Sequence, residues 1–201
     1  MRTSSVLLLA VAALALVAGA TSADIAASST AGKTYKGYTF ATDTAPYLNI
    51  SRDICLIKKV LNTKQPDYTF AKGIYMDGYY GKLASKDGGL IAMRRMATDV
   101  KTNEPLWTQY QKHFNNPVWL DDLLVRAFGK VPPYDSDKAR VQLIVKTLES
   151  SLQVSYLFHE LDQAINEVQA KKANASLDVD PVYRVDKAWA IFVGADTDCG
   201  L

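Results

Sequence analysis

The sequence has few of the residues that build common metal clusters, with only two cysteines and two histidines in 201 residues. This scarcity excludes zinc fingers, disulfide-dense scaffolds and histidine-rich metal buffers. Charges of opposite sign nearly balance, at 23 Lys and Arg against 21 Asp and Glu, and no basic run reaches five residues. We therefore expect no binding to nucleic acid, which would need a basic surface. Serine-nucleophile and phosphate-loop motifs are also missing, so neither a serine hydrolase nor a nucleotide-binding protein is indicated.

Hydrophobic residues are plentiful, at 48%, which is typical of a globular protein and not of a disordered one. Its first 23 residues are typical of a secretory signal peptide: Met1-Arg2, an apolar run over residues 6–17, and small residues at cleavage spacing up to Ala23. The alternative, a membrane anchor, is disfavoured because the run is too short to cross a bilayer. No later run reaches membrane length. The sequence thus predicts a secreted or periplasmic protein, or one at the cell surface, without a membrane span after cleavage.

Export to an oxidising compartment would favour a disulfide. Cys55 and Cys199 can pair with each other, or Cys199 can pair with a residue beyond this chain, which stops two residues later in a way that suggests truncation. These two alternatives stay open. Two glycosylation triplets, at Asn49 and Asn174, fit an exported glycoprotein, although two triplets are close to chance expectation.

The apolar spacing predicts an all-α fold, a helical bundle with one long C-terminal helix. A flexible leader over residues 24–46, with one short strand over 35–41, precedes a helical domain over residues 47–201. Ile50, Ile54, Ile57 and Leu61 recur on one helical face, and Asp67 can cap the next helix. Further helices are predicted over 90–100, from Pro105, from Trp119 to Phe128, and over 185–193. The longest runs from residue 135 to about 172 without Gly or Pro.

The long helix also carries the main candidate site. Its buried stripe reaches Tyr156 and then turns polar, so that Tyr156, His159, Glu160, Gln163 and Glu167 lie within a third of the circumference. Oxygen donors with one imidazole suit a hard metal ion. The plainer interpretation is a hydrogen-bonded histidine at the edge of the core with ordinary surface carboxylates.

Donors on one helix cannot surround an ion. Asp121, Asp122 and the Tyr79-Tyr80 loop are the partners that residue type suggests.

Three segments together resemble a known family. They are Asp67-Tyr68-Thr69-Phe70-Ala71-Lys72-Gly73-Ile74-Tyr75-Met76-Asp77-Gly78, the His159-Glu160-Leu161 triplet, and Val185-Asp186-Lys187-Ala188-Trp189-Ala190-Ile191-Phe192-Val193-Gly194. The family is that of the algal iron-assimilation proteins, low-iron- or high-CO2-inducible periplasmic proteins related to the phytotransferrins. Because family members are generally longer, the resemblance implies that the chain holds the first part of the family's domain.

The resemblance implies capture of ferric iron at the cell surface for an uptake system, without enzymatic redox chemistry. Combined with the polar helical face, it makes His159, Glu160, Tyr156 and Asp162 the predicted metal ligands.

Two other functions compete with iron capture. His159-Glu160 distantly resembles the Gly-x-His-x-x-Glu motif of imelysin-like helical metallopeptidases, but Leu157 stands where that motif has Gly and Asp162 where it has Glu. The motif is therefore broken, and an enzyme is not expected. A structural or adhesive extracellular protein would also account for the signal peptide, the 11 tyrosines and the glycosylation triplets.

Overall fold

The computed structural model describes residues 29–82, 91–99, 101 and 104–195. Nearly all regular structure in these residues is helical, which confirms the predicted all-α class. The strands are β1 (Thr34–Tyr35) and β2 (Tyr38–Thr39), and the helices are α1 (Ala45–Leu61), α2 (Tyr68–Asp77), α3 (Met93–Thr98), α4 (Pro105–Phe114), α5 (Trp119–Phe128), α6 (Asp137–Lys146), α7 (Gln153–Ala173) and α8 (Pro181–Val193).

Helix α1 lies at the centre of the core. The four apolar residues that predicted it, Ile50, Ile54, Ile57 and Leu61, are all at most 1% exposed. Helix α2 packs back against it after a short connection. As predicted, Asp67 caps α2, because its Oδ1 accepts a hydrogen bond from the Phe70 backbone N–H at 2.8 Å.

The predicted long C-terminal helix is confirmed from Asp137 to Ala173, with one irregularity. Residues Thr147–Leu152 form a π-helical segment that joins α6 to α7. Such a segment adds one residue to a turn and so shifts the buried face of the following helix around its axis.

Helix α8 packs along α7 and begins four residues earlier than the sequence analysis predicts. Its N-cap is Asp180, whose Oδ1 accepts from the Tyr183 backbone N–H at 3.0 Å, and Pro181 occupies the first turn. The helix ends at Gly194, where φ is +58°. Because α7 and α8 lie side by side, α8 brings its own polar side chains to the polar face of α7.

The described part of the predicted flexible leader, residues 29–46, is packed onto the helices, which corrects that prediction. Its predicted strand is instead a hairpin of two-residue strands, and Phe40 beside it is fully buried in the core. The buried Asp186 of α8 holds the segment: its carboxylate accepts from the Tyr38 hydroxyl at 2.6 Å and from the backbone N–H of Thr42 at 2.7 Å. Burial of Phe40 and Tyr35 and the bonds to Asp186 thus order a stretch of unremarkable composition.

The structure describes only one of the two cysteines for which a disulfide is predicted. Cys55 lies on α1 and is not a free thiol. Cys199 lies outside the described residues, as do the signal peptide and residues 24–28 of the leader. The Cys55–Cys199 pairing and the cleavage site therefore stay predictions.

Candidate functional site

A small polar cavity of about 150 Å³ opens where α1, α3, α7 and α8 meet. Its polar lining comprises two phenols, one imidazole, one carboxylate and three cationic side chains. In chain order these are Tyr47, Arg95, Asp99, Tyr156, His159, Arg184 and Lys187. Of these residues, Arg95 and Asp99 are exposed at the rim, whereas Tyr47 and Lys187 are buried.

Two of the predicted ligands, Tyr156 and His159, line this cavity side by side. They lie three residues apart on α7, and their ring centres are 5.2 Å apart. The helical periodicity in the sequence therefore placed these two side chains on one face of α7, where the structure has them.

The imidazole of His159 is held by a carboxylate from another element. Its Nδ1 contacts Oε1 of Glu104, the residue that precedes α4, and Gln163 Nε2 donates to the same oxygen at 3.3 Å. A carboxylate on Nδ1 favours the tautomer that leaves a lone pair on Nε2, the arrangement that orients metal-binding histidines. The sequence analysis predicts only that a helix begins at Pro105, because nothing in the local pattern connects Glu104 to a residue 55 positions away.

Glu160 is the fully buried centre of an ion cluster beneath the cavity. Its Oε1 lies 3.0 Å from Lys187 Nζ, and its Oε2 accepts from Arg184 Nη1 at 3.2 Å. Arg184 also donates through Nε to Glu167 at 2.9 Å. A buried carboxylate without such partners would be strongly destabilising. The buried carboxylate on this face of α7 is therefore neutralised by two cations of α8.

The phenol of Tyr156 is shifted strongly toward its protonated form. Burial raises its pKa well above the usual value, and so do the negative charge of Glu160 and the neighbouring phenol of Tyr47. Hydrogen bonding to Glu160 and the charge of Asp99 act in the same direction. A cation that bound this oxygen would have to displace a firmly held proton.

Asp162, the fourth predicted ligand, lies elsewhere. It is absent from the cavity lining and instead lines a separate cleft with Glu104, Phe158 and Ile165. The structure thus brings Tyr156, His159 and Glu160 together and does not bring Asp162 to them.

The residues suggested as further donors to a metal ion make other contacts in the structure. Asp121 accepts from the Tyr75 hydroxyl at 2.8 Å and pairs with Arg94, and Asp122 pairs with Arg126 at 3.7 Å on the surface. The loop that contains Tyr79 and Tyr80 is fixed instead through its backbone.

Buried Asp53 of α1 is the anchor of that loop. Its carboxylate accepts from the backbone N–H groups of Tyr79, Tyr80 and Gly81.

A family model described as low iron-inducible periplasmic protein, Fea1, matches residues 5–201 of the chain. The chain belongs to this family. No curated protein and no solved structure is significantly similar to it. The match confirms the resemblance seen in the sequence and the predicted periplasmic or secreted location. None of the helices in the described residues is long and apolar enough to cross a membrane.

The family's description concerns iron, so the donor types at the cavity matter. Within the described ranges, no group of three or more His, Cys, Asp and Glu side chains could hold a metal ion. The cavity combines one histidine and one aspartate with two tyrosines. A metal ion held here would therefore need phenol oxygens as ligands.

Proposed function

We propose that this periplasmic protein captures ferric iron at the cell surface and that the cavity between α1, α3, α7 and α8 is its binding site. In this proposal the ligands are Tyr47, Asp99, Tyr156 and His159. The observation that supports it is that these four side chains line one space of about 150 Å³. Ferric iron is a small, highly charged cation that prefers oxygen donors, and deprotonated phenols are among the hardest oxygen donors in proteins.

Glu160 supports the site from below in this proposal. Its two oxygens already face Lys187 and Arg184, so its charge is matched before any metal arrives. Direct ligation by Glu160, as the sequence predicted, would require it to give up its contacts with Lys187 and Arg184. We therefore assign the ligand role to the side chains that line the cavity.

The basic lining indicates the form in which iron would arrive. Arg95, Arg184 and Lys187 at the cavity would repel a bare trivalent cation and attract an anionic complex such as ferric citrate. The protein then binds and hands on iron to a cell-surface uptake system, without redox catalysis of its own.

The proposal is tested by titrating the mature chain with ferric citrate. Phenolate bound to ferric iron gives a visible charge-transfer band, and we expect it in the unmutated protein. Tyr156→Phe removes the ligand oxygen and preserves the ring, so it should abolish or shift the band and lower the affinity at least about tenfold. Tyr79→Phe is the matched control, because Tyr79 is 54% exposed and lies outside the cavity lining.

A visible band of the same position and strength in Tyr156→Phe and in the unmutated protein would refute the site. Absence of iron binding by the unmutated chain would refute the function itself. His159→Ala serves as a second variant, and it should weaken binding without removing the band. Glu160→Ala is less suitable, because it removes the carboxylate that pairs with buried Lys187 and so perturbs the fold.

A further inference from the structure

The two glycosylation triplets differ sharply in their structural setting. Asn49 and Ser51 lie in the middle of α1, where they are 2% and 0% exposed. The Ser51 hydroxyl donates to the Leu48 carbonyl oxygen at 2.9 Å, inside the helix. An oligosaccharide on Asn49 would have to occupy the core that Leu48 and Ile50 fill, so a chain modified there could not form α1 as described.

The triplet Asn174-Ala175-Ser176 has the opposite setting. It follows the last residue of α7 and forms a turn closed by the hydrogen bond from Leu177 N–H to the Asn174 carbonyl at 3.2 Å. All residues from 171 to 178 are exposed. The turn can therefore present its side chains to a large enzyme even in the folded protein.

The side chain of Asn174 is also oriented by its own triplet. Its Oδ1 accepts from the Ser176 backbone N–H at 3.1 Å. Because the oxygen is engaged in this turn, the amide nitrogen Nδ2 is directed away from the Ser176 backbone. This is the atom that receives the sugar in N-glycosylation.

We propose that the exported protein carries a single N-linked glycan, on Asn174, and that Asn49 stays unmodified. In the modification, Nδ2 of Asn174 attacks the anomeric carbon of a lipid-diphosphate-linked oligosaccharide, and a C–N bond forms. The bond between that carbon and the diphosphate oxygen breaks, the lipid diphosphate leaves, and one Nδ2 proton passes to a base. The predicted signal peptide brings the chain to the secretory compartment in which this transfer occurs.

The test uses the full chain with its own predicted signal peptide, secreted from cultured eukaryotic cells. Peptide mapping after digestion with a peptide N-glycanase in heavy-oxygen water labels each formerly glycosylated asparagine. We expect the label on Asn174 in most molecules and none on Asn49. Intact mass should fall by the mass of one glycan.

Two substitutions at one exposed position provide matched variants. Ser176→Ala removes the hydroxyl that the triplet requires, whereas Ser176→Thr keeps it, and neither alters the backbone N–H that bonds to Asn174. We expect no glycan on the first variant and one on the second, with identical circular dichroism spectra. Label on Asn49, an unlabelled Asn174 in most unmutated molecules, or a glycan on Ser176→Ala would each overturn the proposal.

Discussion

Replacing Glu160 with alanine should destabilise the protein far more than removing an exposed carboxylate such as that of Asp122. Glu160 is fully buried, and its oxygens lie 3.0 Å from Lys187 Nζ and 3.2 Å from Arg184 Nη1. Arg184 would keep its partner Glu167, but Lys187, itself only 2% exposed, would lose the carboxylate with which it pairs. The substitution therefore leaves a buried ammonium group without that counterion.

The expected cost follows from the loss of that counterion. Removing one partner of a buried ion pair typically costs about 3 to 5 kcal/mol of unfolding free energy. For a chain of this size each kcal/mol lowers the melting temperature by about 2 to 4 °C. The melting temperature of Glu160→Ala should thus fall by about 6 to 20 °C.

The assay is thermal unfolding and urea unfolding of the mature chain, both followed by circular dichroism. Asp122→Ala is the control, because its pair with Arg126 is exposed on both sides and should contribute about 1 kcal/mol or less. A double variant, Glu160→Ala with Lys187→Met, should cost less than the sum of its parts, since the second change removes the buried charge that Glu160 neutralises. If Glu160→Ala lost no more stability than Asp122→Ala, the buried cluster would not be a stabilising feature.

Two further predictions concern the segment before α1. Phe40→Ala should cost about 3 to 5 kcal/mol by urea unfolding, because Phe40 is fully buried, and a loss below about 1 kcal/mol would mean that this segment is not part of the core. Burial, with the hydrogen bond to Asp186 and its charge, raises the pKa of Tyr38 to about 12. The phenol therefore stabilises the fold fully below pH 10, its usual pKa, and loses that contribution as pH rises toward 12. A tyrosinate absorbance titration should contain a component near 12 that disappears in Tyr38→Phe, and a midpoint near 10 would contradict the assignment.

The helix predictions were correct where the sequence signal depends on residues within one or two helical turns. The apolar spacing from Ile50 to Leu61 reflects one helical face against one core, and Asp67 at a cap position needs only its own backbone. The start of α8 was missed although Asp180-Pro181 carries a comparable signal, a capping carboxylate before a first-turn proline. That boundary was therefore readable from sequence.

The ordered structure of residues 29–46, by contrast, could not be predicted from the local sequence. Their composition is that of a linker, and what fixes them is long-range: Phe40 enters the core, and Tyr38 and Thr42 bond to Asp186 almost 150 positions later. Neither propensity nor periodicity carries information about such a contact. Glu104 and His159 illustrate the same limit at the candidate site.

The buried polar side chains on the polar face of α7 can find partners in more than one way. Its buried polar groups do need partners, and a metal ion was one way to supply them. For Glu160 the partners are Arg184 and Lys187 of α8, so its burial requires no metal. What distinguishes Tyr156 and His159 is that they line an open cavity, where Tyr47 adds a second phenol. In the proposed function, iron binding therefore depends on the cavity-lining donors, and Glu160 contributes by holding α7 and α8 in the geometry that forms the cavity.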